Sequence, residues 1–486
     1  MVNLAQNRPS LRATLGPATL AAMARFRPHR MYPGALLAQE ACSYQGATEI
    51  LARIGGRLAV IIHSDRDCSN VVPKTGQRIQ GELPYKFLCT NLKEDELVTG
   101  QGGAKLRKAL QLVGEAWQPA LTVVLSTCPT VMIGDNLRNI AKKAGRDLGM
   151  RVEAELTHGL RPVSPAEVVD KVFALLARAS QPSGVDVSRR VNLVGFDLRA
   201  DELAEIRDGL GELGLTLNAV LSTDTHLGEF MAAADAALSI QPGPNLLLGY
   251  SEMARQVWQQ RIVEVPIPAG VQASDAFWRL IAQAAGAEGQ QVLGADREQA
   301  NLAIGQFRSD HAGKPQPLRC AYNIGSVRSF DLRRIALEEL GDLPMLQELG
   351  FACDLLIQGP QDPPNQLRTA QVLADLQCDL AFGLFPAPGN LVQFLTPGRY
   401  QLLYGADFLR DQTSQAGVAL LNHRATGLGY RQLPGNIEKL TVALSGEFYR
   451  IFKANRLQPS DARVQVQLRR PSEHLAVQQG TEAAIG

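Results

Sequence analysis

Seven cysteines are distributed unevenly along the 486-residue chain, and four of them fall in its first 128 residues. Cys42 lies in EACSYQGA, Cys68 in IIHSDRDCSN and Cys128 in VVLSTCPT, with Cys89 between the last two. The chain has no C-x-x-C pair, which argues against a zinc ribbon and a bacterial ferredoxin site. Because thiolates are the usual ligands of iron–sulfur clusters, these residues point to a redox centre.

The elements around these cysteines predict where they meet. Cys68 and Cys128 follow two apolar strand candidates, Leu58–His63 and Leu121–Ser126, and Cys42 precedes a helix candidate. In doubly wound folds, ligands bind beyond the carboxyl ends of the strands. We therefore expect Cys68 and Cys128 at one sheet edge, where the positive ends of the following helices would help to hold an anionic cluster.

The remaining cysteines have simpler interpretations. Cys89, at the end of a strand-like run, is either a fourth ligand or a buried thiol, and the second interpretation is preferred. Cys353 and Cys378 are interpreted as buried thiols beside strands, since buried cysteine is common.

Three further features near the cysteines are interpreted as structural. His63 is expected to be a structural histidine at a strand end, and Asp135 to be a helix N-cap. The Gly102–Gly103 pair is expected to permit a tight turn. The seven histidines include no H-x-x-H or H-x-x-x-H pair, so a metal pair carried by one helix is not predicted.

Composition is that of an ordinary globular protein, with 45% hydrophobic and 20% charged residues. A net charge of +1 gives no indication of a nucleic-acid partner, and no apolar run approaches the length that spans a bilayer. The N-terminal segment reads as an arm or short helix, not a signal peptide, so a cytoplasmic location without a membrane partner is expected. No Walker A motif is present, which gives nucleotide binding little support.

Strand and helix candidates alternate along the chain, which predicts an α/β fold of three Rossmann-like, doubly wound domains with mostly parallel sheets. Breaks at Ala179–Ser188 and His311–Pro317 divide it into domains at 1–180, 181–312 and 313–486. The tail after Pro459 is predicted to be loosely structured. The other strand candidates are Val191–Phe196, Ala236–Ile240, Ile262–Val265, Leu318–Ile324, Asp354–Gln358, Asp379–Leu384 and Gln401–Tyr404. The helix candidates are Thr48–Ile54, Gly103–Trp117, Asp135–Leu148, Pro165–Arg178, Ala200–Leu213, Asp275–Ala285, Val327–Leu349 and Asn436–Asn455.

The cysteine region resembles the component 1 family of nitrogenases and nitrogenase-like reductases. The resemblance rests on the early cysteine, the H-x-x-x-x-C loop from His63 to Cys68, and the segments NLKEDELVTGQGGAKL and STCPTVMIGDNL. Two later segments, VPIPAGVQASDAFWRLIAQAAG and LLNHRATGLGYRQLPGNIEKL, are also similar to family segments, the second to one of the β-type subunit.

The resemblance implies a set of cofactors and partners. Cys42, Cys68 and Cys128 would be the ligands of half of a P-cluster-type centre, [8Fe-7S] or [4Fe-4S], shared with a homologous α-type subunit in an α2β2 heterotetramer. An ATP-dependent iron protein would deliver electrons, and a larger iron–sulfur cofactor would lie in the partner. Arg66 and Arg161 are candidate cations near the centre, with solvent-exposed charge as the alternative.

Departures from the family pattern disfavour some of the functions found in the family. Gly249 stands where an α-type subunit has its cofactor cysteine. The context of His423 favours a β-type chain, in which this histidine is structural or lies at the interface, with a cofactor ligand as the alternative. The loop from His63 to Cys68 lacks the family's glycines, which disfavours dinitrogen reduction. Methylthio-alkane reductase, an electron-relaying reductase that cleaves C–S bonds, is the preferred interpretation. The alternatives are a cofactor-assembly scaffold, nitrogenase itself, a tetrapyrrole reductase subunit, or a plain α/β binding protein.

Overall fold

The computed structural model describes residues 42–70, 85–160, 163–243, 246–313, 317–325, 340–395, 398–445 and 468–475. Several expectations fall outside these ranges: the N-terminal arm, Arg161, most of the helix candidate Val327–Leu349, and the end of Asn436–Asn455.

The first part of the chain builds a four-stranded sheet with helices on both faces. Its elements are α1 (Ser43–Arg53), β1 (Leu58–His63), α2 (Arg66–Ser69), β2 (Phe87–Cys89), α3 (Glu94–Val98), α4 (Gly102–Trp117), β3 (Leu121–Ser126), α5 (Cys128–Met132), α6 (Leu137–Leu148), β4 (Val152–Glu155) and α7 (Pro165–Ala177).

A second four-stranded sheet follows. Its elements are β5 (Arg190–Val194), α8 (Ala200–Glu212), β6 (Thr216–Leu221), α9 (Leu227–Ala232), β7 (Leu238–Pro242), α10 (Leu248–Trp258), β8 (Arg261–Val265), α11 (Val271–Ala285) and α12 (Gly294–His311).

The last part of the chain builds a five-stranded sheet. Its elements are β9 (Arg319–Ile324), α13 (Leu343–Glu348), β10 (Ala352–Gln358), α14 (Pro363–Asp375), β11 (Phe382–Phe385), a 3-10 turn (Pro388–Gln393), β12 (Leu402–Gly405), a 3-10 turn (Asp407–Leu409), α15 (Arg410–Ala416), β13 (Ala419–Asn422), a 3-10 turn (His423–Ala425) and α16 (Leu433–Ser445).

The strand orders are β2-β1-β3-β4, β6-β5-β7-β8 and β11-β10-β9-β12-β13. Every pairing between these strands is parallel. Strands β1 and β3 are buried along their whole length, because helices cover both faces of a parallel sheet. The prediction of an α/β fold with three mostly parallel sheets is confirmed.

Most predicted elements exist, with ends that differ by a few residues, and β1 and β3 have the predicted bounds. Strands β4, β6 and β13 were not predicted; β4, for example, reads VEAE and has no apolar run. The expected loose tail does not hold for residues 468–475, where Arg469 forms an antiparallel bridge with Phe382 of β11. None of the helices within the described ranges is long and apolar enough to cross a membrane.

The apolar cores are shared between neighbouring sheets. One cluster joins residues of the first sheet, such as Val60 and Val123, to Val194 and Leu221 of the second sheet. A larger cluster joins the second and third sheets in the same way. Helix α7 is almost entirely buried, because it packs against α1 on one side and α10 on the other. The carboxyl edge of the first sheet is therefore held on a rigid base.

Candidate metal centre

Four cysteines lie at or beyond the carboxyl edge of the first sheet. Cys89 is the last residue of β2, Cys68 lies in α2 just after β1, and Cys128 is the first residue of α5, directly after β3. Cys42 is the N-cap residue of α1. All four thiols are partly exposed. The sequence predicted this common edge for Cys68 and Cys128, and Cys89 joins them there.

Cys42 and Cys128 flank Gly159, which follows β4. A Cβ atom on Gly159 would lie 3.3 Å from Cys42 Sγ and 3.7 Å from Cys128 Sγ, so a larger residue would crowd the Cys42 sulfur and contact that of Cys128. The Gly159 N–H donates to Cys128 Sγ at 3.1 Å. Ser43 fixes this arrangement, because its hydroxyl donates to the His158 carbonyl and accepts from the His158 N–H, both at 2.9 Å.

Cys68 is positioned by its own short helix and by Tyr44. The Asp65 carboxylate accepts hydrogen bonds from the Asp67 and Cys68 N–H groups at 3.0 and 3.3 Å, and the Tyr44 hydroxyl donates to the Cys68 carbonyl at 2.9 Å. Burial raises the pKa of the Cys68 thiol, and hydrogen bonds from Ser64 and Thr127 oppose this rise. Cys128 is close enough to raise the same pKa further.

Tyr44 of α1 is buried, and its hydroxyl contacts the backbone of Cys68. Burial raises its pKa most, and the negative charges of Cys68, Cys89 and Cys42 raise it further.

The expectation that Cys89 is a buried thiol holds in part, because its side chain packs against the apolar core but is partly exposed at the edge of the sheet. Its Sγ lies 3.2 Å from the Asp65 carbonyl oxygen and 3.6 Å from that of Ser64, to which the thiol donates. It accepts from the Asn91 N–H at 3.3 Å.

Behind the cysteines, His63 is fully buried and both ring nitrogens have partners. Its Nε2 lies 3.1 Å from Asp135 Oδ2, and its Nδ1 lies 3.3 Å from Thr90 Oγ1. Burial lowers the pKa of His63, and Asp135 opposes this shift. The structural interpretation of His63 agrees with these contacts.

Two expectations about this layer are wrong. Asp135 is not the N-cap of α6; that residue is Asn136, whose side chain accepts from the Asn139 N–H, since the Asp135 carboxylate turns to His63. The pair Gly102–Gly103 begins α4 and does not form a turn. A Cβ on Gly102 would lie 2.5 Å from Asp135 Oδ2, so glycine allows α4 to approach the His63–Asp135 pair closely.

The donor set fits an iron–sulfur cluster in its chemistry. Within the described ranges, no three His, Cys, Asp or Glu side chains are grouped to hold one metal ion. An all-thiol donor set, peptide N–H groups directed at two sulfurs, and helices starting at Cys42 and Cys128 fit such a cluster.

Other singled-out residues lie elsewhere. Arg66 is exposed on α2. Cys353 and Cys320 are buried register neighbours on β10 and β9, which agrees with the buried-thiol interpretation of Cys353. Cys378 is only partly buried, because it lies in the loop between α14 and β11.

The two positions that the resemblance relates to the family's larger cofactor are Gly249 and His423, and neither has a thiol. Gly249 lies in the first turn of α10, where its N–H and that of Tyr250 donate to the buried Asp170 carboxylate at 2.8 and 2.9 Å. A Cβ on Gly249 would lie 3.0 Å from Asp170 Oδ2. His423 is buried beneath the third sheet's last strand, with its ring centroid 6.4 Å from that of Tyr404.

Relatives of the chain have several different names. It is 25% identical to the nitrogenase iron-molybdenum cofactor biosynthesis protein NifE of Sinorhizobium fredii, over 64% of this chain and 63% of that protein. It is 30% identical to a chain of the light-independent protochlorophyllide reductase of Pelodictyon phaeoclathratiforme, over 48% of this chain and 44% of that protein. The chain spans less than two thirds of the length of these curated relatives.

The fold has a solved counterpart. The structure of nitrogenase Cp1 at pH 5 superposes with a TM-score of 0.58 at 16% identity, covering 87% of this chain and 91% of that one. The family model for nitrogenase component 1 type oxidoreductases matches residues 42–318, which begin at Cys42 and include all four clustered cysteines. Since this match covers more than half of the chain, the protein belongs to the nitrogenase component 1 type oxidoreductase family.

Proposed function

We propose that this chain is the β-type subunit of a nitrogenase-like, two-component reductase. Cys42, Cys68 and Cys128 hold its share of an interfacial, P-cluster-like iron–sulfur centre, [8Fe-7S] or [4Fe-4S]. The observation that carries the proposal is the convergence of these thiols at one sheet edge, inside the segment that the family model matches.

The surroundings of the thiols support an interface with a homologous α-type subunit in an α2β2 assembly. Met132 and Ile133, just after Cys128, are 73% and 43% exposed, and Leu160, next to Gly159, is 55% exposed. Large exposed apolar side chains close in sequence to partly exposed thiols are typical of a surface that another protein covers. The partner would then exclude water from the centre.

In this role the chain relays electrons. An iron–sulfur cluster supplies reversible one-electron transfer, which suits acceptance from an ATP-dependent iron protein one electron at a time. The Gly159 N–H stabilises negative charge on Cys128, and the starts of α1 and α5 place positive helix ends beside Cys42 and Cys128. Glycine at position 249 cannot ligate a metal, and Asp170 lies against it, which supports a substrate-reducing cofactor held by the partner.

For the substrate, we propose an organic sulfide cleaved at a C–S bond, as in methylthio-alkane reductases. Two electrons and two protons would convert such a sulfide into a thiol and an alkane. The support is the loop His63–Cys68, which lacks the glycines of the dinitrogen-reducing pattern. Activity of the complete system on methylthio-alkanes, with none on dinitrogen or protochlorophyllide, is the expected result; reduction of either of the last two substrates would reassign the protein within the family.

A second candidate function is a scaffold on which a cofactor is assembled. It is favoured by the similarity to NifE, whose name describes cofactor biosynthesis. A scaffold would bind iron but reduce no substrate when supplied with iron protein, ATP and reductant. A reductase would turn over under the same conditions.

The decisive experiment measures iron and acid-labile sulfide in the anaerobically purified chain, co-produced with its genomic neighbours. Cys42→Ala, Cys68→Ala and Cys128→Ala are each expected to lose most of the bound iron, with Cys353→Ala as the control outside the site. Mass spectrometry of the purified complex is expected to identify a homologous second chain. Full iron content in all three site variants would refute the ligand assignment.

A further inference from the structure

The carboxyl edge of the first sheet carries a fourth thiol, that of Cys89, in addition to the three of the proposed centre. Cys89 pairs in register with Ile62 of β1, so it lies beside the strand that leads to Cys68. The adjacent strands β2, β1 and β3 therefore each lead to one cysteine at the same edge. The loop after the fourth strand, β4, contributes the Gly159 N–H.

Cys89 has the same kind of backbone partner as Cys128. The Asn91 N–H donates to Cys89 Sγ at 3.3 Å, as the Gly159 N–H donates to Cys128 Sγ at 3.1 Å. Asn91 has a φ of 52°, and this left-handed conformation suits asparagine better than most residues. Peptide N–H groups directed at sulfur stabilise thiolate ligands and tune the potential of a bound cluster.

The loop that carries Cys68 packs against Cys89. The Cys89 thiol donates to the carbonyl oxygens of Asp65 and Ser64, at 3.2 and 3.6 Å, and the Asp65 carboxylate accepts the Cys68 N–H. The same loop is held by Tyr44, whose hydroxyl donates to the Cys68 carbonyl at 2.9 Å. Binding of iron would displace the thiol proton of Cys89, as it does for any cysteine ligand.

We propose that Cys89 is a fourth thiolate ligand, so that this chain alone completes the coordination of a [4Fe-4S] cluster with Cys42, Cys68 and Cys128. The inference rests on the proposed function, because it requires those three thiols to bind iron. It also decides between the two nuclearities: four thiolates from one chain complete one four-iron cluster, whereas an eight-iron centre needs thiolates from the partner. The share of the interfacial centre held by this chain is then all four thiolates of a [4Fe-4S] cluster, and the partner covers that cluster at the interface.

The test uses the full-length chain, produced without its partner and reconstituted anaerobically with ferrous iron and sulfide. The wild type is expected to bind about four irons and four sulfides per chain, the content of one [4Fe-4S] cluster. Cys89→Ala should lose bound iron as Cys68→Ala does, whereas Cys378→Ala should retain it, since Cys378 is also partly exposed but lies outside the site. Circular dichroism checks that each variant is folded.

A second measurement needs no variant. Alkylation with iodoacetamide, followed by mass spectrometry, should label Cys89 in the iron-free chain but not in the reconstituted chain, while labelling of Cys378 should be equal in both.

The outcomes separate the two proposals. If Cys89→Ala keeps full iron and Cys89 is alkylated equally with and without iron, while Cys68→Ala loses iron, then Cys89 is not a ligand and the three-thiol centre stands. If Cys68→Ala also keeps full iron, the proposed function itself fails.

Discussion

The buried carboxylate of Asp170 provides a sharp test of how the first two sheets are joined. Asp170 lies in α7 and is 2% exposed, yet it accepts the N–H groups of Gly249 and Tyr250 in the first turn of α10. Leu247, the N-cap residue of α10, has no side-chain capping bond of its own. Asp170 therefore caps α10 from a different helix, and its negative charge faces the positive helix end.

The expected magnitude follows from these two bonds. A hydrogen bond to a charged group contributes about 1.5–3 kcal/mol. Asp170→Ala should therefore lower the free energy of opening the start of α10 by about 3–5 kcal/mol, which corresponds to at least about a hundredfold faster amide exchange. Asp170→Asn keeps one acceptor, so its effect should be about 1–2 kcal/mol.

Hydrogen–deuterium exchange of peptides covering residues 246–258 measures this local opening directly. A global unfolding curve is less suitable, because a chain with three sheets need not unfold in a single step. Asp362→Ala is the matched control: Asp362 also caps a helix, α14, but is exposed, so its loss should change exchange near 362 only slightly. Exchange in 246–258 within threefold of wild type after Asp170→Ala would refute the reasoning.

Three further predictions concern charge, space and the support of the thiols. Burial raises the pKa of Glu205 to about 7 from 4.5, so its ionisation should destabilise the fold by about 3 kcal/mol as pH rises through 7. Glu205→Gln should reduce this pH dependence of stability, measured by thermal unfolding at pH 5 and pH 8. A variant with the same pH dependence as the wild type would contradict the prediction. Gly159→Ala should lower the iron content, because its Cβ would crowd Cys42 and fill the space between Cys42 and Cys128. Gly305→Ala, with open space around it, should not. Equal iron in both proteins would count against the site geometry. Tyr44→Phe removes the hydrogen bond to the Cys68 carbonyl, which should lower the free energy of unfolding by about 1 kcal/mol. Iodoacetamide should then alkylate Cys68 faster in the iron-free chain. An unchanged alkylation rate would show that Tyr44 does not hold this loop.

The sequence predicts well whatever depends on continuous apolar runs. Strands β1 and β3 are such runs, so their ends could be located and the cysteines that follow them assigned to one edge. Strand β2 has only three residues and is partly exposed, so its signal was too weak to place Cys89 at that edge as well.

Contacts between distant residues could not be predicted. The Asp135 carboxylate is suited to cap a helix, but it pairs instead with His63, 72 residues away. The residues around Asp135 give no sign of this distant partner. The same pair explains why residue 102 is a glycine, since a side chain there would collide with Asp135. From the sequence alone, a glycine indicates only a flexible backbone. Gly249 was correctly recognised as unable to ligate, but the carboxylate beside it comes from α7 and is visible only in three dimensions.

The shared apolar clusters limit how this protein can be recombined with its relatives. Val194, Leu221 and Phe230 of the middle part pack in one cluster with Val60 and Phe173 of the first part. A chimera that exchanges the first 180 residues for those of another family member would join two halves of a core that never evolved together. Its seam would have voids or overlaps unless the facing residues of the middle sheet were exchanged too. Because a larger cluster joins the second and third sheets in the same way, the practical unit of transplantation is all three sheets together, even though the metal-binding edge belongs to the first sheet alone.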